Sequence, residues 1–198
     1  SSKWHYAEEY AKNAILEFIS KLSKDKNINI EEKELPEEFN KVHEIHEKIY
    51  CKELAYYFKE EYDCEKDKLS EVFIDMIEKG RKINLDEYNL LLFEQNQIRE
   101  KLSKFFEDNQ YDVIATLTTG GEAMSDLYEA DRPDSCLIWT FCGAPSMSLP
   151  AFIGPNKLPF GVQIISKRKT DKDLISFARY LKNNDYILDV IYPKNLED

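Results

Sequence analysis

Residues 111–121 read Tyr111-Asp112-Val113-Ile114-Ala115-Thr116-Leu117-Thr118-Thr119-Gly120-Gly121. The first part crowds β-branched and apolar residues together, as in a strand buried on both faces. The run then passes straight into a glycine loop. A strand tip feeding such a loop is where α/β folds place ligands, which makes Thr118, Thr119 and Gly120 the first candidates for a pocket. Two later stretches share the strand grammar: Ser146–Phe152, interrupted by Pro150, and Pro159–Ser166. Pro155 with Asn156-Lys157 supplies the turn between them. Thr170, with Asp173 three residues on, reads as the cap of a last helix whose core side is Leu174, Phe177, Ala178 and Leu181. Tyr186–Ile191 reads as a final strand.

Upstream of residue 110 the grammar is different. Residues 1–110 hold 18 Lys+Arg against 26 Asp+Glu, with one Gly (Gly80) and one Pro (Pro36), whereas residues 111–198 hold 5 Gly and 6 Pro. Long helices tolerate the first composition, and short strands with tight loops need the second. Apolar residues recur at helical spacing at Ala7, Tyr10, Ala11, Ala14, Ile15, Phe18, Ile19 and Leu22. A second stripe, Phe39, Val42, Ile45, Ile49, Leu54 and Phe58, follows Pro36, which suits a helix start. A third, short helix carries Leu69, Val72, Phe73, Met76 and Ile77, with Gly80 placed as a left-handed C-cap. Asn84 with Glu87 opens the fourth, which runs through Tyr88, Leu91, Leu92, Ile98, Leu102 and Phe105. Between the first two helices, Asn27–Glu34 alternates like a short strand. The expected organisation is a mainly helical part over 1–110 and an α/β segment over 111–198, together forming one structural unit.

The net charge of -11 argues against a nucleic-acid partner. The apolar runs are too short for a membrane span, so no membrane partner is expected. The chain opens on Ser1 rather than Met, which reads as a processed or cut end, and shows no secretory pattern. Cys51, Cys64, Cys136 and Cys142 have no CxxC spacing and read as reduced thiols of a cytoplasmic protein.

Other constellations have ordinary explanations. His43 and His46 lie three apart, whereas a zinc-protease helix needs histidines four apart, and no third ligand is evident. We expect a half-exposed helix face and no metal. Cys142 could act as a nucleophile only with a base brought from elsewhere, since no His follows it, and a buried apolar role fits better. Trp139 and Thr140 are second-choice pocket residues, with core packing explaining Trp139 equally well. Lys167-Arg168-Lys169 reads as a solvated strand end.

An ordered set of motifs resembles the amidase signature family. Tyr111-Asp112-Val113-Ile114 is similar to its Asp-led strand ending in a Thr/Pro loop. Trp139 to Pro150 is similar to its Thr, two residues, then Gly-x-Pro-x-x-x-x-Pro stretch, with Thr140, Cys142, Gly143, Pro145 and Pro150 in place. Leu158-Pro159-Phe160-Gly161-Val162-Gln163 is similar to its Leu-Pro-x-Gly-x-Gln run. Looser likeness reaches back through Tyr88 and Ile77–Gly80 to the Trp4 helix, so most of the chain aligns with the latter part of the family. Physical reasons accompany the motifs: Gly143 before Ala144-Pro145 suits a tight backbone approach, Pro150 and Pro159 end strands without needing donors, and Gly161 admits a bulge or a close neighbour. One departure stands out, since the loop Thr116–Gly121 lacks the family's proline.

The resemblance implies an α/β fold with helices packed on a mixed sheet, and cleavage of an amide C–N bond by a Ser nucleophile, a bridging Ser and a Lys base. Such a nucleophile needs a base within reach and an oxyanion site that the family builds from a Gly/Ser-rich loop. Here the only Gly-Gly is followed by Glu122, and the only Ser-Ser is Ser1-Ser2. The expectation is therefore a C-terminal portion of an amidase with no catalytic residue of its own. It would use no cofactor and supply pocket walls through Thr118, Thr119, Gly120, Trp139, Thr140, Cys142 and Gly143. Its partners would be a small amide, the N-terminal catalytic half of the same protein, and further copies of itself where apolar surface is left uncovered. The alternatives are a non-catalytic amidase-like binding module and the A-type subunit of a transfer-RNA amidotransferase. The Arg that reads a glutamine carboxylate in that subunit would fall near Met76.

Overall fold

The computed structural model describes residues 4–124 and 135–189. It is a mixed α/β structure with a small antiparallel sheet. The chain forms two compact units, one taking residues up to Leu35 and from Phe105 onward, the other Pro36–Lys104. The change of composition near 110 falls close to one boundary, yet the first helix belongs with the sheet.

In the first unit, β1 (Val113–Leu117), β2 (Ser146–Ile153) and β3 (Pro159–Ser166) lie in the order β1-β3-β2. Both pairings are antiparallel, so the described sheet is not mixed. The strand buried on both faces is β3, whose residues Phe160 to Ser166 are all buried, whereas β1 is an edge strand with Ala115 exposed. Composition alone does not separate a central strand from an edge.

Register decides which face is which. Leu117, Val162 and Leu149 stand in one row, and Ala115, Ile164 and Met147 in the next. This face packs with Ala11, Ile15, Phe18 and Leu22 of α1 (Glu9–Leu22) and Leu174, Ala178 and Leu181 of α7 (Asp171–Asn183). Residues at i, i+4 and i+7 of a helix form one stripe, so a single face of α1 covers the sheet.

Several expectations change here. Pro150 does not end β2. The strand continues to Ile153, with a register shift between Pro150 and Phe152 opposite Gly161 and Phe160, and an edge strand tolerates the missing donor. Asn27–Glu34 is not a strand. Ile28 and Ile30 instead pack on the core from an irregular segment. Tyr186–Asp189 is likewise irregular, with the Leu188 N–H donating to the Pro150 carbonyl at 2.8 Å, and residues 190 and 191 lie outside the described residues. Thr170 precedes α7 without capping it, because its hydroxyl turns back to the Lys167 carbonyl at 2.7 Å.

The second unit is helical: α2 (Val42–Tyr57), α3 (Lys59–Cys64), α4 (Glu71–Lys82) and most of α5 (Leu85–Asn109), which continues into the first unit. Pro36 leads into a 3-10 turn, Glu37–Lys41, and α2 starts after it. Ser70 caps α4 by accepting the Phe73 N–H, and Asn84 Oδ1 accepts the Glu87 N–H at 2.8 Å. Gly80 is not a left-handed cap. It sits inside α4, where a Cβ would lie 1.8 Å from the Cys51 carbonyl oxygen, so the glycine lets α4 press against α2. His46 stacks on Tyr50 at 5.9 Å on α2. Among the described residues no cluster suits a metal ion, and no helix is long and apolar enough to cross a membrane.

Candidate functional site

The loop after β1 is built by extending the ladder one step. The Thr118 N–H donates to the Gly161 carbonyl at 3.0 Å. Thr118 Oγ1 then meets Ser148 Oγ at 3.0 Å, across the top of β3. Two side chains from the outer strands can touch over the central one because that position is a glycine. A Cβ on Gly161 would lie 2.7 Å from the Leu149 carbonyl oxygen and 3.1 Å from each hydroxyl. Gly161 therefore provides both the close approach and the irregular register expected of it.

Thr119 Oγ1 donates to the Gly121 carbonyl at 2.6 Å, and the Gly120 carbonyl accepts the Glu8 N–H at 2.8 Å, which ties the loop to the start of α1. Glu122 is buried. Its backbone N–H donates to the Tyr10 hydroxyl at 2.9 Å, and its carboxylate accepts from Asn156 N (3.0 Å), Asn156 Nδ2 (2.7 Å) and Leu158 N (3.2 Å). Gly154 makes room for that carboxylate, since a Cβ there would be 2.3 Å from Glu122 Oε2. The loop and the β2–β3 turn are thus one hydrogen-bonded assembly, held by a buried carboxylate whose oxygens are satisfied.

The remaining expected residues lie on a short helix, α6 (Leu137–Cys142), and its cap. It is Cys136, one turn before Trp139, that reaches the loop, its Sγ lying 3.8 Å from the Thr118 carbonyl. Trp139 is 4% exposed and its indole N–H has no partner among the described residues. Thr140 and Gly143 are exposed, while Cys142 is fully buried and its thiol does not face solvent. Gly143 ends the helix at φ 62°, ψ 34°, with the Gly143 N–H on the Thr140 carbonyl and the Ala144 N–H on the Trp139 carbonyl, both at 3.0 Å. This is a Schellman motif. A Cβ would meet only Arg168 Nε, at 3.8 Å, so the glycine answers to its left-handed φ rather than to close packing.

Thr118, Thr119 and Gly120 lie at a strand tip, as the sequence implies, and the close approach at Gly161 is also legible there, whereas Ser148 and Glu122 as structural partners are not. Gln163 closes the Leu-Pro-x-Gly-x-Gln run in the sequence, but its burial and its place in the sheet are not legible there. It is 3% exposed, stands in register between Thr116 and Ser148, and its Oε1 has no hydrogen-bond partner among the described residues. Titration is perturbed at the opposite end of β1. The Tyr111 hydroxyl donates to Glu31 at 2.7 Å, which pushes Tyr111 up to about 12 and holds Glu31 below the usual carboxylate range.

A family model, Amidase, matches residues 1–175. The chain belongs to this family, the amidase signature family. Among solved structures it resembles an amidase (TM-score 0.76, 16% identity, 90% of this chain and 43% of that one). It also resembles a bacterial aryl acylamidase of the amidase signature enzymes (TM-score 0.71, 14% identity, 91% and 41%). The A-type subunit of glutamyl-tRNA(Gln) amidotransferase from Thermotoga maritima shares the fold with TM-score 0.63 and 20% identity, over 90% and 39%. Among curated proteins, the mitochondrial A-type subunit of the same amidotransferase from Anopheles gambiae is 27% identical over 39% of this chain, and that from Drosophila pseudoobscura pseudoobscura 29% over 43%. The matches span only 18% and 19% of those two relatives, and less than half the length of the solved structures.

Proposed function

We propose that this chain is a wall-forming, C-terminal portion of a cytoplasmic amidase that cleaves a small amide C–N bond. The serine and lysine chemistry belongs to the N-terminal catalytic half of the same protein. One observation carries the reading. The only Gly-Gly loop in this amidase-family chain is followed by Glu122, whose carboxylate is bound to Asn156 and Leu158 and holds the β2–β3 turn. Among the described residues, that loop shapes a strand tip, with the Thr118 hydroxyl on Ser148 and the Thr119 hydroxyl on the Gly121 carbonyl rather than on a base. Thr118, Thr119 and Gly120, together with α6, supply the surface against which an amide would lie. Purified 198-residue chain assayed for ammonia release from short primary amides should show no turnover above buffer. Turnover that co-elutes with the chain overturns the assignment of catalysis to another segment.

A second reading, the A-type subunit of a transfer-RNA amidotransferase, is favoured by the curated relatives, which are proteins of that kind. Against it, position 76, where we place the glutamine-reading Arg of those relatives, is a half-buried Met on α4. Stable co-purification with further amidotransferase subunits would establish it.

A further inference from the structure

The Glu122 carboxylate is buried, and the β2–β3 turn binds both of its oxygens. Oε1 accepts from Asn156 N at 3.0 Å and Asn156 Nδ2 at 2.7 Å, and Oε2 accepts from Leu158 N and Asn156 N, each at 3.2 Å. These donors are uncharged N–H groups, and each needs an acceptor. The turn has a hydrogen-bonded frame apart from Glu122. The Lys157 N–H donates to the Gly154 carbonyl at 3.0 Å, and the Gly154 N–H to the Leu158 carbonyl at 2.8 Å. Gly154 leaves a notch beside that frame, and Glu122 fills it. A Cβ there would lie 2.3 Å from Oε2, 2.5 Å from Cδ and 3.0 Å from the Glu122 Cβ. Gly154 is not left-handed, so space rather than backbone conformation accounts for the glycine.

The same side chain closes the loop that follows β1. At the strand end, the Thr118 N–H is on the Gly161 carbonyl of β3. At the far end, the Glu122 carboxylate is on Asn156 and Leu158. Both anchors belong to one hairpin, so residues 119–121 are held between two points of it. Gly120 and Gly121 lie in that span and bring little stiffness of their own. The ties to α1 are the Glu122 N–H on the Tyr10 hydroxyl and the Gly120 carbonyl on the Glu8 N–H, each a single bond between uncharged groups. Hydrogen bonds to an ionised acceptor are roughly twice as strong as those between neutral groups. The carboxylate is therefore the dominant anchor of the loop's far end.

We propose that the β2–β3 turn is a carboxylate receptor with Glu122 as its built-in ligand, and that Glu122 is thereby the positioning residue of the strand-tip loop. The receptor takes a carboxylate rather than a carboxamide. It presents N–H groups to both oxygens, so an amide NH2 in either place would face another donor. Cutting Glu122 back to alanine removes a CH2 and a carboxylate, which makes acetate the matched free ligand. Residues 155–159 of the turn are exposed, so the emptied notch lies close to solvent. The receptor stands on this geometry, and its bearing on an amide pocket rests on the reading above, in which Thr118, Thr119 and Gly120 form part of the wall.

The test is chemical rescue of Glu122→Ala in the intact chain, read by thermal unfolding and heteronuclear NMR. Without acetate, the backbone amides of Asn156, Leu158, Thr118, Thr119 and Gly120 should leave their wild-type positions, and hydrogen exchange at Leu158 should speed up about tenfold. Sodium acetate should return these signals toward wild type and raise Tm, saturating in the millimolar range expected of so small a ligand. Acetamide and sodium chloride should do neither, and wild type, with its receptor filled, should not respond to acetate. A fold weakened only by a cavity would answer to acetate and acetamide alike or to neither, and either result overturns the receptor. An equal acetate response in wild type also overturns it. If Glu122→Ala does not fold with or without acetate, Asn156→Asp on the exposed turn decides. It sets one carboxylate against another, and the Thr118, Thr119 and Gly120 signals should move. Unmoved loop signals in either folded variant overturn the positioning role. Failed rescue leaves the proposed function standing, whereas turnover by the isolated chain in the ammonia assay counts against that function and not against the receptor.

Discussion

The helical unit and the sheet unit each bring two backbones unusually close, and each does so at a glycine. In the helical unit, Gly80 meets the Cys51 carbonyl across the α2–α4 contact. In the sheet unit, Gly161 meets the Leu149 carbonyl beside the paired hydroxyls of Thr118 and Ser148. The first contact joins rigid cylinders and serves packing alone. The second lies in a ladder that can twist or shift register, and it opens space at the candidate site. The same residue type thus sets stability in one region and site shape in the other.

The largest break in this comparison is Gly80→Ala. Alanine favours a helix by up to about 1 kcal/mol over glycine. Here its Cβ would sit 1.8 Å from a backbone oxygen that no rotamer change can move. The clash wins, and we expect a loss of about 3 kcal/mol or more in urea unfolding, centred on the helical unit. A stability equal to or above wild type would show that α2 and α4 part easily. Gly161→Ala should cost about 2 kcal/mol, since the nearest atom is 2.7 Å away and edge strand β2 can shift. It should also disturb the Thr118 and Ser148 NMR signals, which Gly80→Ala should leave in place. Gly143→Ala sharpens the contrast, because there is space for its Cβ and only the left-handed φ is penalised, at about 1 kcal/mol. A loss as large as that of Gly80→Ala would mean that α6 is packed more tightly than its open cap indicates.

The smallest effects are electrostatic. In the sheet unit Tyr180 and the Asn27 backbone N–H bind Asp25 and hold its carboxyl below its ordinary range, as Tyr111 does for Glu31. Lowered carboxyl values give a contribution that is present above the unfolded value and lost as pH falls through the folded one. Tyr111 runs the other way. Its contribution is present below about pH 10, the unfolded phenol value, and is lost as pH rises through about 12. Tyr111→Phe should flatten both arms slightly in urea titrations across pH, and an unchanged pH profile would remove this pair from the account.

Much of the fold was legible in the sequence because it depends on local spacing. The three strands, the α1 stripe, the Asn84 cap and the strand-tip position of Thr118 all follow from residues within a few positions of one another. The rest depends on partners far along the chain. Gly80 looks like a helix terminator until Cys51, on another helix, is placed against it. Ser148 looks like one polar residue on an alternating strand until register sets it beside Thr118. Composition assigned α1 to the helical part, since an apolar stripe does not declare whether a helix or a sheet will cover it.

The strand order has a consequence for how the protein is made. β3 occupies the centre of the described sheet, yet among its three strands it comes last in the chain and β1 first. More than forty residues separate Leu117 from Phe160, so β1 leaves the ribosome seconds before its only described neighbour exists, at a synthesis rate of about 5–20 residues per second. The β2–β3 hairpin closes a short loop and β1 a long one. Nascent-chain proteolysis should therefore find β1 cleavable until translation has passed Ser166.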